Sequence, residues 1–151
     1  MNLPAPPPDV IGKRALVHWN LHRNIYSVKI LGMRDGKRHP MYYAAQLTLR
    51  DCSFRIDGRL RELFERRPTR RTVHAHVVGT IEALAAASIG GERVSCNPFR
   101  YRCFATSANQ KAVAAERVVL HPDKRIEAIG ITVDPHFDVR AHLEAAAPIP
   151  A

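Results

Sequence analysis

The chain has 151 residues, 46% apolar and 25% charged, with 23 Lys plus Arg against 14 Asp plus Glu and a formal net charge of +9. That length fits one domain able to bury roughly two thirds of the surface its unfolded form exposes, and the apolar content excludes wholesale disorder. The positive excess favours polyanionic partners through counterion release, with nucleic acid first among them.

In chain order, MNLPAPPPDVIG lacks the charged start and apolar run of a signal peptide, and its prolines predict an extended arm over residues 1–11 lying outside the fold. A single domain is expected over 12–140, followed by a tail, AHLEAAAPIPA, over 141–151 that reads as a short helix or frayed end. From Ala15 to His22 and from Asn24 to Leu31, two alternating runs meet at Arg23 and predict a hairpin. MRDGKRH carries the Asp35-Gly36 turn signal. A third extended region runs from Met41 to Ile56, where LTLRDCSFRI switches phase near Asp51, the mark of a bulge or a break.

DGRLRELFERRP is the one helix the pattern predicts, over about 57–67: Asp57 caps it, Leu60, Leu63 and Phe64 form its apolar stripe, and Pro68 ends it. Residues 50–72 hold eight arginines against four acids, the densest basic segment of the chain. An extended stretch follows from Thr72 to about Leu84, with Gly79 as a bulge position, and ALAAAS then reads as a short helix or turn before Gly90-Gly91. CNPFRYRCFAT interleaves Arg100 and Arg102 with Phe99, Tyr101 and Phe104, as an irregular strand would. ERVVLHPDKRIEAIGITV reads as two short strands around the turn His121-Pro122-Asp123-Lys124. The fold class expected is α+β, a curved, mainly antiparallel sheet with one principal helix.

No apolar stretch approaches a membrane span, so no membrane partner is expected. Cys52, Cys96 and Cys103 contain no CxxC pair, which argues against a disulfide framework or zinc ribbon and fits a reducing cytoplasm. No Walker loop, dinucleotide fingerprint, GxSxG elbow, HExxH or zinc-finger spacing appears, which removes most of the common enzyme classes.

Histidine supplies what chemistry remains. VHWNLH sets His18, Asn20 and His22 on one strand face, and VHAHVV does the same for His74 and His76. Imidazole exchanges protons near neutrality and ligates divalent transition metals, so these side chains are the candidate catalytic set. A divalent metal would need an acidic partner, for which Asp51 is the nearest candidate. Metal-free phosphodiester cleavage would use two histidines as base and acid, with Arg100 or Arg71 holding the developing charge. The competing reading is that histidines on an open sheet face simply meet water. His39, His121, His136 and His142 fall in predicted turns or the tail and read as solvated.

Arg59, Arg61, Arg66, Arg67, Arg70, Arg71, Arg100 and Arg102 are the candidate phosphate contacts, because a planar guanidinium fork matches phosphate oxygens. The acids at 57, 62 and 65 could instead pair with several of them on a solvated helix face. Phe99, Tyr101 and Phe104 could stack on unpaired bases, although such residues more often fill a core. Trp19, opposite in parity to His18, is assigned to the core.

WNLH at 19–22, GR at 58–59, VHA followed by G at 73–79, and NPFRY at 97–101 together resemble a group of small, basic, uncharacterised proteins from bacteriophages and bacteria, over about residues 13–133. The resemblance implies a phage or prophage setting and brings no activity, catalytic residue or fold with it. Two function classes follow from the residues: a nucleic-acid-binding protein that is a small histidine-dependent nuclease, or a non-enzymatic module that binds nucleic acid. A third, a phage factor meeting an acidic host protein, uses the same charge.

Overall fold

In the computed structural model, the described residues are 3–32, 40–56, 75–97 and 102–138. They form ten strands: β1 (Arg14–Asn20), β2 (Ile25–Ile30), β3 (Met41–Ala44), β4 (Leu47–Ile56), β5 (Ala75–Ala83), β6 (Glu92–Asn97), β7 (Arg102–Ala105), β8 (Gln110–Leu120), β9 (Ile126–Ile129) and β10 (Thr132–Asp138). Their order is β3-β2-β1-β5-β4-β8-β7-β6-β9, and β10 pairs with β8. A further pairing of β8 with β9 closes the β8-β7-β6-β9 run into a small barrel. Long β8 serves both parts, with β4 along one side and β9 and β10 along the other.

The α+β expectation is therefore corrected. Among the described residues the only helical element is one 3-10 turn, Pro8–Val10, and these residues are nearly all sheet. The helix expected over 57–67 lies outside the described residues. ALAAAS forms no helix either; residues 84–91 are irregular.

Alternation explains which face is core. Ala15, Val17, Tyr26, Val28, Ile30, Val77 and Ile81 all point inward and are buried, as period-two strands with one covered face require. In β4 the inward set changes parity, from Leu47 and Leu49 to Cys52 and Phe54. The register shows why: Arg50 opposes Thr80 and Ser53 opposes Val78, so Asp51 and Cys52 together face Gly79. This is the bulge expected near Asp51, and Asp51 adopts a φ of 53°, a left-handed conformation that aspartate tolerates better than most residues.

The sheet curls until β2 reaches the far side of the core. Tyr26 Oη donates to the His121 carbonyl oxygen at 2.8 Å, across 95 residues of sequence. Trp19 meets Tyr26 edge to face at 5.0 Å, and the Lys124 ammonium sits 5.2 Å above the Trp19 ring. Phe104 lies in the core, 4.5 Å from Phe54, at a φ of 57°. Left-handed backbone at a bulky residue costs about 1–3 kcal/mol, which burial of a phenylalanine, worth about 1.5–3 kcal/mol, offsets. Phe104 is thus a core residue and not a base-stacking platform. Residues 3–10, expected to lie outside the fold, are docked on it: Val10 is buried among core residues and the Tyr43 amide donates to the Pro4 carbonyl.

No helix among the described residues is long and apolar enough to cross a membrane.

Candidate functional site

The face of the sheet opposite the core carries a transverse row of polar side chains. Ser27 on β2 opposes His18 on β1. The β1–β5 register, continued one residue beyond Val17 and Val77, sets His18 opposite His76, and His76 opposes Arg55 on β4. The two imidazoles meet edge to face with ring centroids 5.1 Å apart. Both histidines are half-buried, Arg55 is exposed and Ser27 is buried. β1 and β5 each have strands on both sides, so this pair is held by continuous sheet and not by a loop.

Two residues along the strands, the next row is Lys29, Leu16, Val78 and Ser53. Beyond it come Arg14, Thr80, Arg50 and Arg117. Arg14 donates to the Asp51 carbonyl oxygen at 2.7 Å and to Thr80 Oγ1 at 3.4 Å. Arg117 grips Glu82 through two bonds of 3.0 and 2.9 Å from Nε and Nη2, a bidentate geometry along one edge of the guanidinium. Among the described residues Arg50 has a long contact to Asp51, 3.9 Å between half-exposed and exposed side chains. The face is therefore cationic at both ends, with a small apolar strip at Leu16 and Val78 between.

Of the candidate catalytic set, His18 and His76 are brought together, and His22 and Asn20 are not added to them. His22 is exposed in the turn that follows β1. Asn20 serves that turn: its Oδ1 accepts from the His22 and Arg23 amides at 3.1 Å each, and its Nδ2 donates to Ser27 Oγ at 3.1 Å. His74 lies outside the described residues, as do Arg59, Arg61, Arg66, Arg67, Arg70, Arg71, Arg100, Phe99 and Tyr101. Arg102 opens β7 at the small barrel. Among the described residues no three or more His, Cys, Asp or Glu side chains are gathered as a metal centre, so Asp51 does not complete one with the histidine pair.

A second polar cluster escaped the sequence reading. His121, expected in solvent, is buried with Glu127. His121 Nε2 lies 2.7 Å from Glu127 Oε1, Ser88 Oγ donates to Glu127 Oε2 at 3.1 Å, and Arg125 approaches both partners at 3.4 Å. Burial works against the Glu127 charge, but the hydrogen bonds from Ser88 and His121 and the electrostatic attraction of His121 and Arg125 outweigh it, leaving the carboxyl below its ordinary range. Both ring nitrogens of His121 have protein partners. The cluster thereby fastens the 84–91 segment and the 121–125 turn to the barrel, a structural task. Its one visible signal was Glu127 set between Ile126 and Ala128, an acid inside a short apolar strand.

Residues 10–128 match the family model described as Mycobacterium phage L5 gene 82 protein. No curated protein and no solved structure matches the chain.

Proposed function

The chain belongs to the family of the Mycobacterium phage L5 gene 82 protein, and from that phage setting, the charge and the sheet we propose that it binds nucleic acid through the phosphate backbone. The observation that carries this reading is the His18–His76–Arg55 row, a preformed line of nitrogen donors across three adjacent strands. It stands on a chain of net charge +9. The row ends where β4 and β5 part: Ile56 pairs with Ala75, and the 57–74 segment joining them contains Arg59, Arg61, Arg66, Arg67, Arg70 and Arg71. Those arginines enter the proposal as further backbone contacts, since phosphate recognition rewards clustered guanidinium groups.

The 5.1 Å approach of the two rings favours a second, catalytic reading. Two neighbouring imidazoles can act as base and acid on one phosphodiester, with Arg55 balancing charge on the phosphorane. His18 and His76 carry this reading.

Electrophoretic shift and anisotropy measurements with single- and double-stranded DNA and RNA at low salt test the binding proposal. Retention of any of these, weakening as salt rises, is expected; failure to bind all four overturns it. A cleavage assay in chelator then tests the second reading, which requires that His18→Ala and His76→Ala each abolish the activity.

A further inference from the structure

The geometry points to a divalent transition-metal site formed by His18 and His76; we propose that the two imidazoles chelate one Zn²⁺, Cu²⁺ or Ni²⁺ ion between β1 and β5. The inference stands apart from nucleic-acid binding. It rests on placement: the two residues are cross-strand neighbours in the β1–β5 register, on strands that are both internal to the sheet.

Distance supports chelation. A zinc ion lies ~2.0–2.1 Å from an imidazole nitrogen and hence roughly 3.2 Å from the ring centroid. Two centroids 5.1 Å apart then subtend about 106° at a common metal, close to the tetrahedral angle that zinc prefers. The rings stand 68° apart in plane, and chelation exchanges their present contacts for the metal by a turn about each terminal torsion, which is broad and soft and leaves the ring centroid nearly in place. Because continuous sheet sets the backbone positions, ligand binding orders little beyond those two torsions.

Chemistry selects the ion. Two neutral nitrogens without a carboxylate suit borderline metals high in the Irving–Williams order and disfavour Mg²⁺, Ca²⁺ and Mn²⁺, which want oxygen. The positive charge of the chain opposes any cation, and Arg55 stands one strand away, beside His76. The remaining coordination positions therefore fall to water or to an anion, and Arg55 favours an anion. A phosphate oxygen is such an anion, so the loaded site would attract the ligand class proposed above.

The test titrates Zn²⁺ into the intact chain by calorimetry without nucleic acid, and measures nucleic-acid binding separately in chelator, so either proposal can fail alone. One equivalent is expected at pH 7.5, weakened about tenfold or more in His18→Ala and in His76→Ala and unchanged in His22→Ala and His136→Ala. Affinity should also fall as the pH is lowered, because a protonated imidazole nitrogen cannot ligate. If either alanine variant fails to melt cooperatively, Cu²⁺ added to the wild-type chain replaces it: amide resonances of residues 17–19 and 75–77 should broaden before all others. No stoichiometric binding, binding indifferent to both substitutions, or broadening centred elsewhere overturns the assignment.

Discussion

His121 Nε2 and Glu127 Oε1 lie 2.7 Å apart with both side chains 7% exposed, and the His121 carbonyl also accepts from buried Tyr26. One residue thus ties the β8–β9 turn to a carboxylate on β9 and to a phenol on β2. Glu127 titrates below its ordinary value of 4.5 in the folded chain. A depressed carboxyl contributes stability that is present in full above the unfolded value and is lost as pH falls through the folded one. Thermal melts from pH 7 downward should therefore hold level to about 4.5 and decline below it. In Glu127→Gln that acid decline should be shallower, and the melting temperature at pH 7 lower, because the ionic partner of His121 and Arg125 is gone. An acid limb identical to wild type would remove Glu127 as its source.

Gly79 faces the bulge at Asp51 and Cys52, and a methyl group there would meet Cys52 Sγ at 2.8 Å, Leu49 Cβ at 3.1 Å and the Arg50 carbonyl oxygen at 3.2 Å. The first contact can yield by side-chain movement; the last belongs to the backbone of the neighbouring strand. Gly79→Ala should destabilise the chain by about 1–3 kcal/mol in urea unfolding. Adding Cys52→Ala should recover part of that loss, making the pair non-additive. Simple addition would show that the strain lies at the backbone. Burial pushes the Cys52 thiol up to about 12, so alkylation of the native chain at pH 8 should label half-buried Cys96 before Cys52.

Asn20 shares a strand face with His18 by parity, but its side chain serves the turn that follows β1. Removing the side chain leaves the His22 and Arg23 amides without their acceptor and buried Ser27 without its donor. Asn20→Ala should cost about 1–2 kcal/mol. Asn20→Asp keeps the acceptor and lets Ser27 reverse its bond, so it should cost less. Neither should change nucleic-acid affinity measured well below the melting temperature; a loss of affinity in the aspartate variant beyond one added charge would return Asn20 to the site.

What was legible in the sequence was local. Period-two alternation located β1, β2 and β4, and the phase change in LTLRDCSFRI marked the bulge because one inserted residue exchanges the faces of everything after it. The HxNxH and HxH runs identified His18 and His76, since parity alone puts such residues on one face. What parity cannot supply is which strands adjoin: the pairing of β1 with β5 joins residues about sixty apart. The same limit hid His121. HPDK reads correctly as a turn, but its burial depends on Tyr26 and Ser88, which arrive from distant parts of the chain. The α+β expectation gave the 57–67 pattern the rank of a principal element, whereas ten strands carry the core of the described residues.

Zinc and proton transfer would compete for the same nitrogens. If the paired imidazoles cleave phosphodiesters without metal, Zn²⁺ should inhibit the wild-type chain, with an inhibition constant that matches the calorimetric dissociation constant of the same chain. Excess chelator should restore the rate. Stimulation by Zn²⁺ would instead assign the ion a place in the chemistry, as a Lewis acid or a source of hydroxide.

The salt dependence of binding separates the row from the general charge of the chain. Each phosphate neutralised contributes about 0.7–0.9 to the slope of log affinity against log salt, the lower value for single strands. Among the described residues no carboxylate pairs with Arg55, whereas Arg117 is held by Glu82 and Arg125 by Asp123 and Glu127. Arg55 is thus the guanidinium of this face with the least to give up on meeting a phosphate. Arg55→Ala should reduce the slope by about 0.7–0.9 and weaken binding uniformly across sequences. Lys124→Ala, which removes the ammonium over Trp19 at the turn after β8, should leave the slope unchanged. Equal effects from both substitutions would mean that the ligand responds to net charge alone, and the histidine row would then lose its claim to be where nucleic acid lies.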